Sequence, residues 1–137
     1  MSFVLDASMT IAWLFAKERS EATRAILRRA AADGATVPSI WRLEVANVLR
    51  GAARSGRCTK DYADRSIDRL ARLHIDVDPE TDRRAWGETR GLSLRCDLTL
   101  YDAAYLELAV RLRRPLATCD RALVGAAEQL GLDVLSG

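Results

Sequence analysis

The sequence has few cysteines and no long hydrophobic stretch, and each shortage excludes a class of protein. The three cysteines are odd in number, widely spaced and not clustered with the single histidine, which argues against a disulfide scaffold or a zinc site. No run approaches the roughly 18 apolar residues that a membrane span needs, and residues 1–6 lack the layout of a signal peptide. We therefore predict one cytoplasmic domain, residues 1–137, with no membrane segment.

An excess of charge of one sign is also lacking. The 21 Lys and Arg residues nearly balance the 19 Asp and Glu residues, so the net charge of +2 gives only weak overall attraction to nucleic acid. All but Lys17 and Lys60 of the basic residues are arginine, which we attribute first to the base composition of a GC-rich genome. Because arginine makes forked contacts with phosphate, a phosphate-binding surface remains the alternative.

Short apolar segments alternate with helical patterns along the whole chain. The predicted strands are 3–6, 35–38, 75–77, 115–118 and 132–135, and helices are predicted at 8–16, 20–32, 39–54, 59–71, 80–90, 99–112 and 121–130. Ser39 is the predicted cap of the third helix. Strands this short, separated by helices, pair in parallel through right-handed crossovers. We predict an α/β fold, a three-layer α/β/α sandwich around a short-stranded, mainly parallel five-stranded sheet.

Acidic residues stand where the predicted strands end. Asp6 ends the first strand, Asp120 follows the fourth, and Glu44 lies in the first turns of the helix after the second. Ligand sites of such sheets lie outside the carboxyl ends of the strands, so these side chains are expected in one crevice. Carboxylates at close range repel one another unless a cation intervenes, and oxygen-only ligands favour Mg²⁺ or Mn²⁺ over zinc. Such a site suits phosphodiester hydrolysis by a metal-activated water.

Each acid also has a purely structural interpretation. Asp6 and Asp120 are suitable helix N-caps, Asp102 can complete a capping box with Thr99, and Glu44 can simply face water. Taken singly, these interpretations are preferred. Taken together, the acids favour a functional site.

Four segments in order resemble a PIN domain, specifically a VapC-type toxin ribonuclease: Val-Leu-Asp-Ala-Ser at 4–8, Leu-Glu-Val-Ala-Asn-Val-Leu at 43–49, Leu-Thr-Leu-Tyr-Asp-Ala-Ala-Tyr-Leu at 98–106 and Ala-Thr-Cys-Asp at 117–120. The resemblance implies a metal-dependent endoribonuclease, the toxin of a toxin–antitoxin pair. It implies inhibition by a small antitoxin protein, a homodimer, and a tetramer or larger assembly with the antitoxin. Carried over by position, the acids that hold Mg²⁺, with Mn²⁺ as substitute, are Asp6, Glu44, Asp102 and Asp120, supported by the hydroxyls of Ser8 and Thr118.

The helix that carries Glu44 presents further polar side chains. Asn47 lies on the same face as Glu44, where its amide can orient that carboxylate, against the alternative of plain burial. Arg50, Arg54 and Arg57 recur at helical spacing. A solvated face is the default for them, and contact of Arg50 and Arg54 with RNA phosphates beside the site is the functional alternative.

The first helix has apolar residues on two sides. Ile11, Leu14 and Phe15 fall on one side, and the other side holds Met9, Trp13 and Ala16. The second side is buried either by the helix at 20–32 or by a partner. Since VapC-like proteins hold the antitoxin tail near this helix, the resemblance makes Met9 and Trp13 candidate antitoxin contacts.

Three other functions fit the sequence less well than a toxin ribonuclease does. A receiver domain also gathers aspartates around Mg²⁺, but it needs a lysine at the end of its last strand, and neither Lys17 nor Lys60 is there. Nucleases of the flap-endonuclease type are larger than this chain. A non-catalytic PIN-like binding module is the main alternative, and the complete set of acids argues against it.

Overall fold

Five short parallel strands form the centre of the molecule. The computed structural model describes residues 2–137, and its strands are β1 (Phe3–Leu5), β2 (Ala35–Val37), β3 (Ile75–Val77), β4 (Leu116–Thr118) and β5 (Val134–Ser136). They pair in the order β3-β2-β1-β4-β5, with every neighbouring pair parallel. The central strands β1, β2 and β4 are buried throughout, as apolar strands covered on both faces must be. The predicted five-stranded sheet is confirmed.

Helices make every connection between the strands. Helices α1 (Ala7–Leu14) and α2 (Glu21–Asp33) join β1 to β2, and α3 (Trp41–Arg54) and α4 (Lys60–Ala71) join β2 to β3. The chain then forms α5 (Thr81–Arg84), a π-helical turn (Ala85–Thr89), α6 (Arg90–Cys96) and α7 (Leu100–Leu112) before β4, and α8 (Arg121–Gln129) precedes β5. Right-handed crossovers put α1–α4 and α5–α8 on opposite faces of the sheet, which agrees with the predicted three-layer α/β/α sandwich.

Two predicted helix features are wrong. Ser39 does not cap α3: the helix begins at Trp41, Ile40 holds the cap position without a side-chain bond, and the Ser39 N–H donates to Thr81 Oγ1 over 3.0 Å. The single helix predicted at 80–90 is interrupted, because Gly87 has non-helical angles (φ −101°, ψ −105°) within the π-helical turn. None of the helices formed by residues 2–137 is long and apolar enough to cross a bilayer.

Helix α1 is buried on both of its apolar sides. Met9 is 0% exposed and Trp13 is 5% exposed, and both belong to the hydrophobic core. The helix contacts α2, α3 and β4, and the burial of both side chains shows that the chain's own packing covers them. The expectation that Met9 and Trp13 present a face to the antitoxin is therefore not met, and the alternative of burial within the chain holds.

Buried ion pairs fix α7, the helix that carries Asp102. Arg111 donates to Asp78, which follows β3, over 2.7 Å, and to Glu107 over 2.9 Å. Burial opposes ionisation of Asp78, but the hydrogen bonds from Arg111 and its charge lower the pKa of this carboxyl below its ordinary value. The network joins the far part of α7 to the sheet edge at β3.

Gly34 provides a test of the tight approach between β2 and β3. Its φ of 75° and ψ of −179° suit only glycine, and an added Cβ would lie 2.8 Å from the His74 carbonyl oxygen. We expect Gly34→Ala to lower the free energy of unfolding by about 3 kcal/mol. The matched control is Gly56→Ala, where φ is 81° but the space around the new Cβ is open, with a loss of about 1 kcal/mol. Urea denaturation measures both, and equal losses would contradict the steric argument.

Candidate active site

The carboxyl ends of β1 and β4 form the floor of a cleft of about 710 Å³. Within the sheet, β2 lies along one edge of β1 and β4 lies along the other. The chain extends from β1 to β2 and β3 in one direction and from β4 to β5 in the opposite direction, so the strand order reverses between β1 and β4. All four predicted acids line the cleft, together with Ser8 and Asn47. The predicted crevice containing Asp6, Glu44 and Asp120 is present, and Asp102 joins it.

Asp6 lies deepest in the cleft and is only 4% exposed. Its Oδ2 accepts hydrogen bonds from Ser8 Oγ over 2.5 Å and from Thr118 Oγ1 over 2.8 Å, so hydroxyls from both sides of the floor hold it. Asp6 stands at the cap position of α1 but makes no side-chain capping bond. Burial raises the pKa of Asp6, the two hydroxyl bonds oppose this rise, and the charge of Asp120 adds to it.

Asp120 has both of the predicted properties, as a helix cap and as a cleft acid. Its Oδ1 accepts from the N–H groups of Ala122 over 2.9 Å and Leu123 over 3.1 Å, which caps α8. Its own N–H donates to Thr118 Oγ1 over 3.0 Å, so Thr118 contacts two of the acids. Because both capping bonds fall on Oδ1, the cap leaves Oδ2 for a ligand in the cleft.

Asp102 lies in the first turn of α7, where only one of the two hydrogen bonds of the predicted capping box with Thr99 is formed. Thr99 Oγ1 accepts from the Asp102 N–H over 3.1 Å, but the return bond from the Thr99 N–H to the Asp102 carboxylate is not formed. Burial raises the pKa of Asp102 to about 6, and the charges of Asp120, Asp6 and Glu44 contribute. The other three acids are therefore close enough to Asp102 to disfavour its ionisation.

Tyr105, which the sequence analysis did not single out, orients Glu44. The Tyr105 hydroxyl is buried and donates to Glu44 Oε1 over 2.5 Å. Burial and the contact with Glu44 raise the pKa of Tyr105, so the hydroxyl remains a donor. Asn47 is exposed and lines the cleft, but within residues 2–137 no hydrogen bond joins it to Glu44. The available signal was position: Tyr105 follows Asp102 by three residues on α7 and so lies on the same helix face.

Burial raises the pKa of Glu44 as well, although the bond from Tyr105 opposes the rise and the charge of Asp6 adds to it. The acids surround the cleft rather than converge: no three Asp, Glu, His or Cys side chains within residues 2–137 are grouped closely enough to hold one ion as they are placed. His74 is outside the cleft, 79% exposed, and lies 3.2 Å from Asp76. Most of the potential metal ligands in the cleft are therefore oxygen atoms.

The three arginines of the helical series differ in position. Arg50 lines a neighbouring groove with Leu43 and Tyr101, and exposed Arg54 lines neither this groove nor the cleft. Arg57 lines the cleft itself. The spacing in the sequence could not separate them, because the chain leaves α3 after Arg54 and turns toward the cleft.

The family model for the PIN domain matches residues 3–129. The chain belongs to the PIN domain family. The resemblance drawn from the four sequence segments is thereby confirmed. Among curated proteins, this PIN domain is similar to ribonuclease VapC3 of Pyrobaculum aerophilum, with 32% identity over 124 residues that cover 90% of this chain and 92% of the relative.

Two solved structures share the fold of this PIN domain. PAE2754 from Pyrobaculum aerophilum matches with a TM-score of 0.72 and 23% identity, over 98% of this chain and 91% of that one. VapBC2 from Rickettsia felis, bound to a DNA fragment from their promoter, matches with a TM-score of 0.65 and 16% identity, over 100% and 99% of the two chains. At these identities the similarity supports the fold.

The raised pKa of Asp102 predicts a pH-dependent gain in stability for Asp102→Asn. The folded state holds the proton more tightly than the unfolded chain does, so the ionised carboxyl destabilises the fold above pH 6 and this penalty vanishes below about pH 4. In EDTA, we expect the substitution to raise the free energy of unfolding by about 1 kcal/mol at pH 7.5, after allowance for solvent screening, and to leave it unchanged at pH 4.

The control is Asp61→Asn, which also removes an acid from a first helical turn, but an exposed one paired with Arg65. This variant gains no stability at pH 7.5. Urea denaturation at both pH values measures the two variants. A gain for Asp102→Asn that persists at pH 4 would rule out repulsion and burial as its cause.

The Tyr105–Glu44 bond predicts a selective effect of Tyr105→Phe. Removal of the hydroxyl frees Glu44 to rotate, and loss of a partner that orients a metal ligand typically weakens metal binding about 10–100-fold. Calorimetric titration with Mn²⁺ measures this. Tyr62→Phe is the matched control, since its hydroxyl donates to the Leu14 carbonyl oxygen away from the acids. Each variant loses about 1 kcal/mol of stability, and equal Mn²⁺ affinities would contradict the orienting role.

Proposed function

We propose that this PIN domain is a metal-dependent endoribonuclease and the toxin of a toxin–antitoxin pair. The observation that carries the proposal is the set of four carboxylates in one cleft, where three of them have pKa values raised by burial and by one another. A folded protein tolerates this conflict of charges when a cation resolves it during function. The relative named ribonuclease VapC3, which aligns over nearly the whole chain, supports RNA as the substrate.

The donors in the cleft fit Mg²⁺, with Mn²⁺ as a substitute. Apart from the Cys119 thiol, they are carboxylate, hydroxyl and amide oxygens, which hard divalent cations prefer. Mg²⁺ keeps several waters and uses one or two carboxylates together with substrate phosphates. The spread arrangement of Asp6, Glu44, Asp102 and Asp120 is compatible with that mode of binding. When bound, such a cation neutralises charge on phosphoryl oxygens and lowers the pKa of an attacking water.

The chain's own residues hold the acids in place before substrate arrives. Ser8 and Thr118 fix Asp6, Tyr105 fixes Glu44, and the first turn of α8 fixes Asp120. Groups held in this way need no reorganisation during the reaction, which is the main advantage of an enzyme site over water. Ser8 acts as a support: its hydroxyl donates to Asp6 and accepts from the Cys119 N–H.

The similarity to known toxin–antitoxin proteins also supports a proposal about the partners. A small antitoxin protein inhibits the nuclease in the cytoplasm, and the chain forms a homodimer that assembles further with the antitoxin. The structural neighbour VapBC2, a toxin–antitoxin pair on promoter DNA, supports this assembly.

Asp6→Asn tests the proposed function. The change keeps the shape of the side chain and removes one charged ligand, so we expect turnover on single-stranded RNA to fall by at least about 100-fold, the order lost with one key electrostatic contact. The wild-type protein cuts RNA with Mn²⁺ or Mg²⁺ and stops in EDTA. The control is Asp68→Asn, an exposed aspartate on α4, which keeps wild-type turnover.

Growth of a host that expresses the chain alone gives a second readout of the same variants. Wild type and Asp68→Asn arrest growth, and Asp6→Asn does not. A wild-type protein that binds RNA but never cuts it, with any of the ions, would favour the non-catalytic binding module instead.

A further inference from the structure

The cleft has a strong imbalance of charge. Its lining within residues 2–137 includes the four candidate ligands and Glu18, five carboxylates in all, against a single cation, Arg57. An RNA strand carries one negative charge per phosphate, so these acids repel it wherever no cation intervenes. A metal ion held by the acids would neutralise charge on the phosphate that is cut. The neighbouring phosphate needs its own positive partner.

Arg57 is placed and held for that task. One N–H of its guanidinium donates to Glu18 Oε1 over 2.7 Å, and its Cζ lies 4.0 Å from the centre of the Phe15 ring. The Arg57 side chain remains 41% exposed, and Glu18 is its one side-chain hydrogen-bond partner within residues 2–137. Most of its N–H groups are therefore available to a ligand, and a guanidinium presents them in a fixed plane that matches phosphate.

The surroundings hold this guanidinium in position. The Tyr62 ring packs on Phe15 with 6.3 Å between ring centres, and the Tyr62 hydroxyl donates to the Leu14 carbonyl oxygen at the end of α1. The cleft is also lined by Ser20 and Thr23, the capping pair at the start of α2. The positive end of the α2 dipole therefore faces the same space as Arg57.

We infer that Arg57 forms a phosphate-binding subsite of the cleft and positions an RNA phosphate next to the one that is cut. The inference rests on the proposed ribonuclease function and deepens it. Arg57 is a positioning residue: it binds the substrate beside the acids and takes no part in activating water. Glu18 holds the guanidinium between substrates and gives way to a phosphate, which is the stronger acceptor because of its charge and its several oxygens.

A purely structural role makes a different prediction. In that case the Arg57–Glu18 ion pair only joins the turn after α1 to the turn after α3. Arg57→Gln and Glu18→Gln then break the same ion pair and have the same effect on RNA cleavage. If Arg57 binds phosphate, the two variants differ in direction. Loss of Arg57 removes the ligand contact, whereas loss of the Glu18 charge releases the guanidinium and removes a repulsive group from the cleft.

The experiment measures cleavage of a short single-stranded RNA with Mn²⁺ over a range of salt concentrations. We expect Arg57→Gln to raise KM about 10-fold, the order of one charge-assisted hydrogen bond. We expect the slope of log KM against log salt concentration to fall by about 0.7, one phosphate contact on a single strand. Glu18→Gln leaves KM unchanged or lowers it, and Arg57→Lys retains most of the salt slope.

Arg65→Gln is the matched control, because it removes the same charge from an exposed arginine that also has one carboxylate partner, Asp61, but does not line the cleft, and its KM stays within about twofold of wild type. Equal effects of Arg57→Gln and Glu18→Gln, or an unchanged salt slope in Arg57→Gln, would overturn the subsite. A wild-type protein that cuts no RNA defeats the proposed function itself. Normal cleavage by wild type and by Arg57→Gln alike defeats only the subsite.

Discussion

The rest of the site depends on one buried carboxylate and the two hydroxyls that hold it. Asp6 follows β1, Thr118 ends β4, and the bonds from Ser8 and Thr118 join these two neighbouring strands where the strand order reverses. Burial is the main cause of the raised pKa of this carboxyl, and the two hydroxyl bonds oppose that rise. The sheet brings the acids together, and the hydroxyls favour the charged form of the deepest of them.

Repulsion among the acids is a stability cost that the remaining structure offsets. Asp102 and Glu44 both extend from helices toward Asp6, and each has a raised pKa. The pairing of Arg111 with Asp78 and Glu107 holds the other end of α7 against the sheet. This contact opposes any displacement of the helix by repulsion among the acids. Rigid anchoring at one end therefore permits electrostatic strain at the other, a usual arrangement in active sites.

Sequence reasoning succeeded where a pattern had a local cause. The alternation of strands and helices, the cap at Asp120 and the shared crevice of the acids all follow from short-range rules about periodicity, capping and parallel sheets. It failed where a side chain's surroundings depend on the packing of elements distant in sequence. Trp13 has two possible coverings that periodicity cannot distinguish, and the structure covers it with its own helices. Tyr105 meets Glu44 across 61 positions of sequence, so its spacing from Asp102 indicates its helix face but does not identify its partner.

The capping bonds of Asp120 have an evolutionary consequence. Position 120 must supply a side-chain oxygen to the first turn of α8 whether or not the protein cuts RNA, so Asn, Ser or Thr can follow Asp there with little loss of stability. Position 102 contributes its N–H to the cap provided by Thr99, and any residue except proline offers that N–H. In a lineage released from selection for nuclease activity, Asp102 would therefore drift first and freely, while position 120 would retain a small polar residue.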